Sequence, residues 1–370
     1  MPFKIVFDVY HLYHLPQFDP VIDLLKNDNR FEVYTSVSCD INREEKALTE
    51  KILSKRNLPI ISADNEKNRA SKIKRFEPDV FICGWSRYPI RQFVTDKTLV
   101  GMIYHGIGVK PSYWQDNHSR LDVRFVEGAL RERQLKAAGI KTDMVLTGFT
   151  KLDPLFQDAV FNREQILNEL KLDPQKKTIL YGPTFYPSSL RKIWPELINS
   201  LEDFNVIVKP HMWVYFLSSF GGISLKREKK SLNKFENINH IAVLKPDWYN
   251  IVPFLAISDL LITEASSTIY EMMALDKPVV LCKFYSLKWN HNLFSKRLYK
   301  RRLNKEMKEG MTDFCFRIND PKDVLQTVSN AFEMNDPYVE IRGKYKKDML
   351  FQLDGKASER VRDYIIKRIT

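Results

Sequence analysis

The chain has 370 residues, 44% of them hydrophobic, and 58 Lys and Arg against 46 Asp and Glu give a net charge of +12. That length and apolar content suit two domains with packed cores, and no low-complexity tract or fixed-period repeat marks a disordered or solenoid chain. No apolar run reaches about eighteen residues, which excludes a membrane-spanning helix, and the basic balance points to a polyanionic partner or to a solvated basic surface. Such a partner would be nucleic acid, an anionic membrane or a phosphate-rich substrate. The N-terminus, MPFKIVFDVYHLYHLP, lacks an apolar core followed by a cleavage site, so no signal peptide is expected. Cys39, Cys83, Cys282 and Cys315 are dispersed and form no CxxC pair. Their placement predicts reduced thiols in a cytoplasmic protein and no metal site.

In chain order, residues 4–9 alternate into a first strand, and residues 10–16, YHLYHLP, read as an aromatic, histidine-rich loop. Short strands follow at 31–35, 79–83, 99–104, 122–126 and 144–146, with helical spacing at 43–55 and 129–138 between them. This alternation predicts an α/β chain with a parallel sheet covered on both faces. His105 ends the strand at 99–104, on the loop YHGIGVK at 104–110. A histidine there can serve as general base, with Gly106 admitting a ligand and Lys110 meeting acceptor or phosphate. A core histidine is the alternative.

Residues 153–163 read as the connection to a second unit. Strands at 178–181 and 205–209 end in Gly182-Pro183-Thr184 and in Lys209-Pro210-His211. Thr184 either binds phosphate or base or belongs to an ordinary turn. Lys209 and His211 either neutralise phosphate charge or form a basic surface turn. Residues 257–282, ISDLLITEASSTIYEMMALDKPVVLC, give a strand, a turn, a helix and a strand. Ser266, Ser267 and Thr268 stand at the helix start, where backbone N–H groups and the dipole can hold phosphate. Capping of the helix is the competing role. Glu271, in the first turns, is placed to accept ribose hydroxyls. A strand is predicted at 314–316 and helices from 321 onward, ending in a terminal helix from 354.

Residues 283–308 mix Lys and Arg with Phe, Tyr, Trp and Leu. That mixture suits an interfacial helix on anionic lipid, a single-strand nucleic-acid site, or a solvated helix. No nucleic-acid-binding motif accompanies it, so no nucleic-acid partner is expected.

Several of these segments resemble motifs of GT-B glycosyltransferases and of the CDP-glycerol glycerophosphotransferase (teichoic acid polymerase) family. HGIGVK at 105–110 resembles HGTPLK, and KPH at 209–211 resembles LKxHP. GFTKLDPL at 148–155 is similar to GxTRxDxL, and ILYGPTF at 179–185 to ILYAPTWR. ITEASS at 262–267, followed by Glu271 and Lys277-Pro278, is similar to ITDYSS…E/D…KP; DGKASERV at 354–361 matches as it stands. Ile107, Gly108, Val109, Met212 and Ala265 depart from the pattern.

The resemblance implies two Rossmann-like domains facing across a cleft (GT-B). Residues 1–160 would bind the acceptor and residues 161–370 the nucleotide donor, with the terminal helix crossing back. It implies transfer of glycerol phosphate or another polyol phosphate from a CDP-linked donor, or a UDP-linked one, to a membrane-associated glycan or lipid-linked acceptor. His105 would be the catalytic base. His211, with Lys209, Thr184, Ser266, Ser267 and Thr268, would hold and stabilise the phosphates, and no metal or other cofactor is implied. A nucleotide-sugar glycosyltransferase of the same fold remains the alternative enzyme, and a nucleic-acid-binding protein the non-enzymatic one. The enzyme would work at the inner face of the cell membrane, held by anionic lipid.

Overall fold

The computed structural model describes residues 1–85, 89–108, 120–288, 291, 293, 311–333 and 336–370. The chain separates into two compact units. The first takes Met1–Ile107, Pro111–Asp158 and Lys347–Thr370; the second is essentially Ala159–Lys346.

The first unit is built on a six-stranded sheet of β1 (Phe3–Val9), β2 (Phe31–Val37), β3 (Val80–Cys83), β4 (Leu99–Ile103), β5 (Val123–Val126) and β6 (Asp143–Leu146). The spatial order is β2-β1-β3-β4-β5-β6, and every pairing is parallel. The expected alternation in β1 is not observed. Residues 5–9 are buried on both faces, because helices cover the sheet on both sides. Asp8, in that run, is satisfied by the buried guanidinium of Arg69. The chain after β1 is also more regular than expected. A 3-10 turn at Leu12–His14 leads into helix α1 (Leu15–Lys26). Pro16 lies in the first turn, where its missing N–H costs nothing. Pro16 and Pro20 together mask the helical pattern in the sequence. Helix α2 (Arg43–Lys55) matches the expected span residue for residue; α3 (Glu66–Phe76) and α4 (Ala129–Ala137) complete the cover.

The last segment of the chain packs in this first unit, and two family motifs explain how. Gly148 has φ +89°, and a Cβ there would lie 2.6 Å from the Phe351 carbonyl oxygen. Only glycine admits the returning chain at that point. Asp153 then accepts from Ala357 N–H at 3.0 Å and Ser358 N–H at 2.7 Å, the first amides of the terminal helix Ala357–Ile369. The motifs at 148–155 and 354–361 are therefore two halves of one joint, a helix start capped from a distant carboxylate.

The second unit carries β7 (Thr178–Gly182), β8 (Asn205–Val208), β9 (Ile241–Val243), β10 (Leu260–Thr263), β11 (Val279–Cys282) and β12 (Phe316–Ile318). Their order is β9-β8-β7-β10-β11-β12, again all parallel. The strand expected at 314–316 starts two residues later. Phe314 and Cys315 are spent in a turn closed by Cys315 N–H on the Thr312 carbonyl, and the ladder pairs Val280 with Phe316 and Cys282 with Ile318. Helices α5 (Leu190–Asn199) and α6 (Thr268–Ala274) follow β7 and β10. Cys83, Cys282 and Cys315 are buried thiols.

Asp153→Ala should lower the free energy of unfolding by about 1–3 kcal/mol for each amide left without its acceptor, and the urea midpoint with it. Equilibrium unfolding checks this, and an unchanged midpoint would contradict the capping role.

Candidate functional site

In the first unit the strand order reverses between β1 and β3, the position where open α/β sheets admit ligands. The C-terminal ends of β1, β3 and β4 deliver Tyr10–His14, Gly84-Trp85 and His105 to this point. His105 is half-buried, and its Nδ1 lies 3.2 Å from the Gly84 carbonyl oxygen. A carbonyl only accepts, so Nδ1 carries the hydrogen and Nε2 keeps the lone pair, the atom a general base needs. His14 stacks on His105 with ring centroids 4.7 Å apart and 29° between planes. It is fully buried, and burial, followed by the neighbouring imidazoles of His105 and His11, holds it well below the ordinary histidine value. His14 is therefore a neutral ring at physiological pH. Close packing here needs Gly84, where a Cβ would sit 3.0 Å from Gln17 Nε2 and 3.3 Å from the His14 ring. The turn is pinned by Glu45, whose Oε1 accepts from Leu12 N–H at 3.0 Å and from His11 Nδ1 at 3.1 Å. Gly106 is buried beside His105, whereas Lys110 lies outside the described residues.

The second unit reverses its order between β7 and β10. The C-terminal ends of β8, β7 and β10 are neighbours, so Lys209 and His211, Thr184, and Ser266 with Ser267 come to one end of one sheet. Lys209 is buried and its N–H donates to the Tyr181 carbonyl at 2.8 Å. His211 Nδ1 accepts from Trp213 N–H at 3.2 Å, which leaves Nε2 carrying the hydrogen. The two histidines thus hold opposite polarity: His105 offers a lone pair and His211 offers a donor. Ser266 Oγ takes the capping role, accepting from Thr268 N–H at 3.3 Å and Thr268 Oγ1 at 3.0 Å. Ser267, the residue before α6, makes no side-chain cap bond. Thr184 Oγ1 donates to the Pro187 carbonyl, closing its own loop. Glu271 is fully buried on α6. Lys277 donates to the carbonyls of Leu255, Ala256 and Ser258 at 3.0, 2.6 and 2.7 Å, so this motif lysine closes the C-terminal end of the short helix Val252–Ile257 before β10.

Sequence reasoning missed the group that ties this end together. Glu264 is fully buried and accepts from Thr184 N–H and Ser189 N–H, both at 2.7 Å, and from Ser189 Oγ. It fastens the loop after β7 to the end of β10. Tyr181 extends the network, its hydroxyl 2.8 Å from Ser189 Oγ. Burial pushes Glu264 up to about 7 against the pull of its donors, and burial likewise pushes nearby Glu228 up to about 7. The only sequence signal was a Glu in the place of the family's Asp. His14 and Gln17 were also missed as site residues, since the loop reading gave them no fixed place.

Glu264 has a folded-state value above its ordinary 4.5, so folding favours the protonated acid. Its contribution is fully present below about pH 4.5, declines as pH rises, and is lost above about 7; the shift corresponds to roughly 3 kcal/mol. Glu264→Gln does not ionise, so its stability deficit relative to the unaltered protein should be smaller near pH 8 than near pH 4.5. Urea unfolding at both pH values checks this; a constant deficit would contradict it.

Comparison with known proteins fits this architecture. The profile of the family described as CDP-Glycerol:Poly(glycerophosphate) glycerophosphotransferase matches residues 60–367. The chain is 25% identical over 243 residues to the teichoic acid glycerol-phosphate primase of Bacillus subtilis, covering 62% of this chain and 53% of the relative. It is also 25% identical over 223 residues to the UDP-N-acetylglucosamine–N-acetylmuramyl-(pentapeptide) pyrophosphoryl-undecaprenol N-acetylglucosamine transferase of Halalkalibacterium halodurans, covering 58% of this chain and 56% of the relative. It thus spans about half the length of these curated relatives. The solved structure of the wall teichoic acid polymerase TagF superposes with a TM-score of 0.66 at 16% identity, over 100% of this chain and 90% of that one. That likeness establishes the GT-B fold. With the family profile spanning most of its length, the chain belongs to the CDP-glycerol:poly(glycerophosphate) glycerophosphotransferase family.

Proposed function

We propose that the protein transfers glycerol phosphate, or another polyol phosphate, from a CDP-linked donor to a hydroxyl of a cell-surface glycan or lipid-linked acceptor. The first unit takes the acceptor and the second the donor. His105 Nε2 removes the proton of the acceptor hydroxyl, whose oxygen attacks the phosphorus bearing the polyol. A phosphodiester forms, the bridging P–O bond of the diphosphate breaks, and CMP departs. Lys209 and the His211 Nε2–H neutralise charge on the departing phosphate. Ser266, Ser267 and Thr268 add donors at the start of α6, and Glu271, in the same helix, is assigned to accept the ribose hydroxyls once the donor is bound. The observation that carries the reading is the hydrogen bond of His105 Nδ1 to Gly84, which fixes the tautomer with the lone pair on Nε2. Family membership supports the donor class.

The resemblance to an N-acetylglucosamine transferase favours one competing reading, in which a nucleotide sugar is the donor and a glycosidic bond the product. Attachment to anionic membrane is also proposed, from the basic and aromatic residues of 283–308. Much of that segment, including Arg297, Lys300, Arg301 and Arg302, lies outside the described residues. Among the described residues no helix is long and apolar enough to cross a membrane. Co-sedimentation with anionic vesicles that fails, or that ignores salt, would remove this part of the reading.

His105→Ala should lower turnover by about 10²–10⁴ while leaving CDP-glycerol affinity nearly unchanged. Ser266→Ala combined with Ser267→Ala should do the reverse, weakening donor binding by about 1.5–3 kcal/mol for each charged hydrogen bond lost. Thermal shift with CDP-glycerol and a CMP-release assay read both effects. Normal turnover in a folded His105→Ala protein would remove the base, and unchanged affinity in the serine variant would return both residues to local helix geometry.

A further inference from the structure

One peptide group joins a buried acid to His211. Pro183 and Thr184 share it: the N–H, on Thr184, donates to Glu264 Oε2 at 2.7 Å. The carbonyl, on Pro183, accepts from the His211 N–H at 3.3 Å. A peptide group is planar and stiff, so turning one edge turns the other. Phe185 follows, and its ring packs on the His211 ring with centroids 5.0 Å apart and 55° between planes. Trp213 closes the corner, its ring 4.8 Å from that of Phe185 and 5.3 Å from that of His211. His211 is therefore seated on the two residues that flank the amide held by Glu264.

Glu264 itself is shielded from any substrate. It is fully buried, with Oε2 engaged by Thr184 and Oε1 by the N–H and Oγ of Ser189. The far end of the loop is held as well. The Ser188 carbonyl accepts from Ser286 N–H at 2.8 Å, and buried Glu228 faces Ser188 from the helix Lys226–Leu232. For stability alone, a well-packed apolar side chain of similar volume serves as well as a buried acid. A carboxyl group supplies what such a side chain lacks, acceptor atoms at fixed positions for buried donors.

We propose that Glu264 is a positioning residue for the transfer: by holding the Pro183–Thr184 peptide and the Ser189 turn, it fixes the place from which the His211 Nε2–H meets the departing phosphate. The inference rests on the reading of His211 as that donor, and it names the residue that sets the donor's geometry. No bond is made or broken at Glu264. Its effect falls on the step in which charge builds on the leaving phosphate, where a displaced donor costs most.

A double-mutant cycle on the full chain tests this, with CMP release from CDP-glycerol in the presence of a lipid-linked glycan as the readout. Glu264→Met keeps the length of the side chain and removes its acceptors. It should lower kcat by about 10–10²-fold, the cost of a small displacement of a reacting group, and change KM for CDP-glycerol by less than about threefold. Glu264→Gln keeps one acceptor oxygen and should lose less. In a His211→Ala background, itself slowed by about 10²–10³-fold, Glu264→Met should cost nothing further. Phe185→Leu weakens the contact at the other end of the lever. It should give the same pattern, and it carries the test if Glu264→Met fails to fold. Normal kcat in a folded Glu264→Met protein, a change in KM alone, or an equal loss with and without His211 would overturn the proposal; an equal loss is what general weakening of the fold produces. Any of these beside a slow His211→Ala protein would leave the reading of His211 standing. Normal turnover in His211→Ala would overturn that reading, and this inference with it.

Discussion

Burial of parallel sheets on both faces is the constraint from which the rest follows. A strand such as β1 or β7 has helices on each side, so its middle is closed to polar groups unless they are paired inside, as Asp8 is with Arg69. Side chains with chemistry to perform can emerge only at strand ends. In the first unit they emerge where β1 and β3 part company in strand order, bringing Tyr10, Trp85 and His105 together. In the second they emerge beside the point where β7 meets β10, bringing Lys209, His211, Thr184 and the two serines to one end of one sheet. Neither cluster is local in sequence, and each is made by sheet order.

The histidines show how much a site gains from its supporting atoms. His105 and His211 both sit on loops after strand ends and have the same side chain. A carbonyl oxygen holds Nδ1 of the first, and a backbone N–H holds Nδ1 of the second. The Nε2 atoms are therefore of opposite kind, acceptor in one unit and donor in the other. Phosphoryl transfer needs both: a base for the entering hydroxyl and a donor for the leaving phosphate. Glu264 performs the corresponding service for the loop after β7, gathering three donors into one buried carboxyl group.

Much of this was legible because apolar runs end abruptly at Gly, His and Pro. The strand before His105, the strand before Lys209 and the unit around Ser266 were all placed within a residue or two. The helix at 43–55 followed from periodicity alone. Helix α1 did not, because its two prolines look like breakers when the first turn and its tolerance for Pro16 are unseen. Partnerships across the chain were illegible for a different reason. Glu264 meets Ser189 across 75 residues and Asp153 meets Ser358 across 205, and no periodicity encodes such pairs. The motif halves at 148–155 and 354–361 were visible separately; only the folded chain makes them one joint.

The central claim is that this chain makes a phosphodiester by moving a polyol phosphate off a CDP-linked donor. Phosphorus NMR of a reaction containing CDP-glycerol and a lipid-linked glycan tests it most directly. The account predicts that the two diphosphate signals disappear together while a CMP monoester and a new phosphodiester grow in equal amounts. A diphosphate that persists, while a nucleotide sugar offered in parallel is consumed and a glycosidic bond appears, would contradict it.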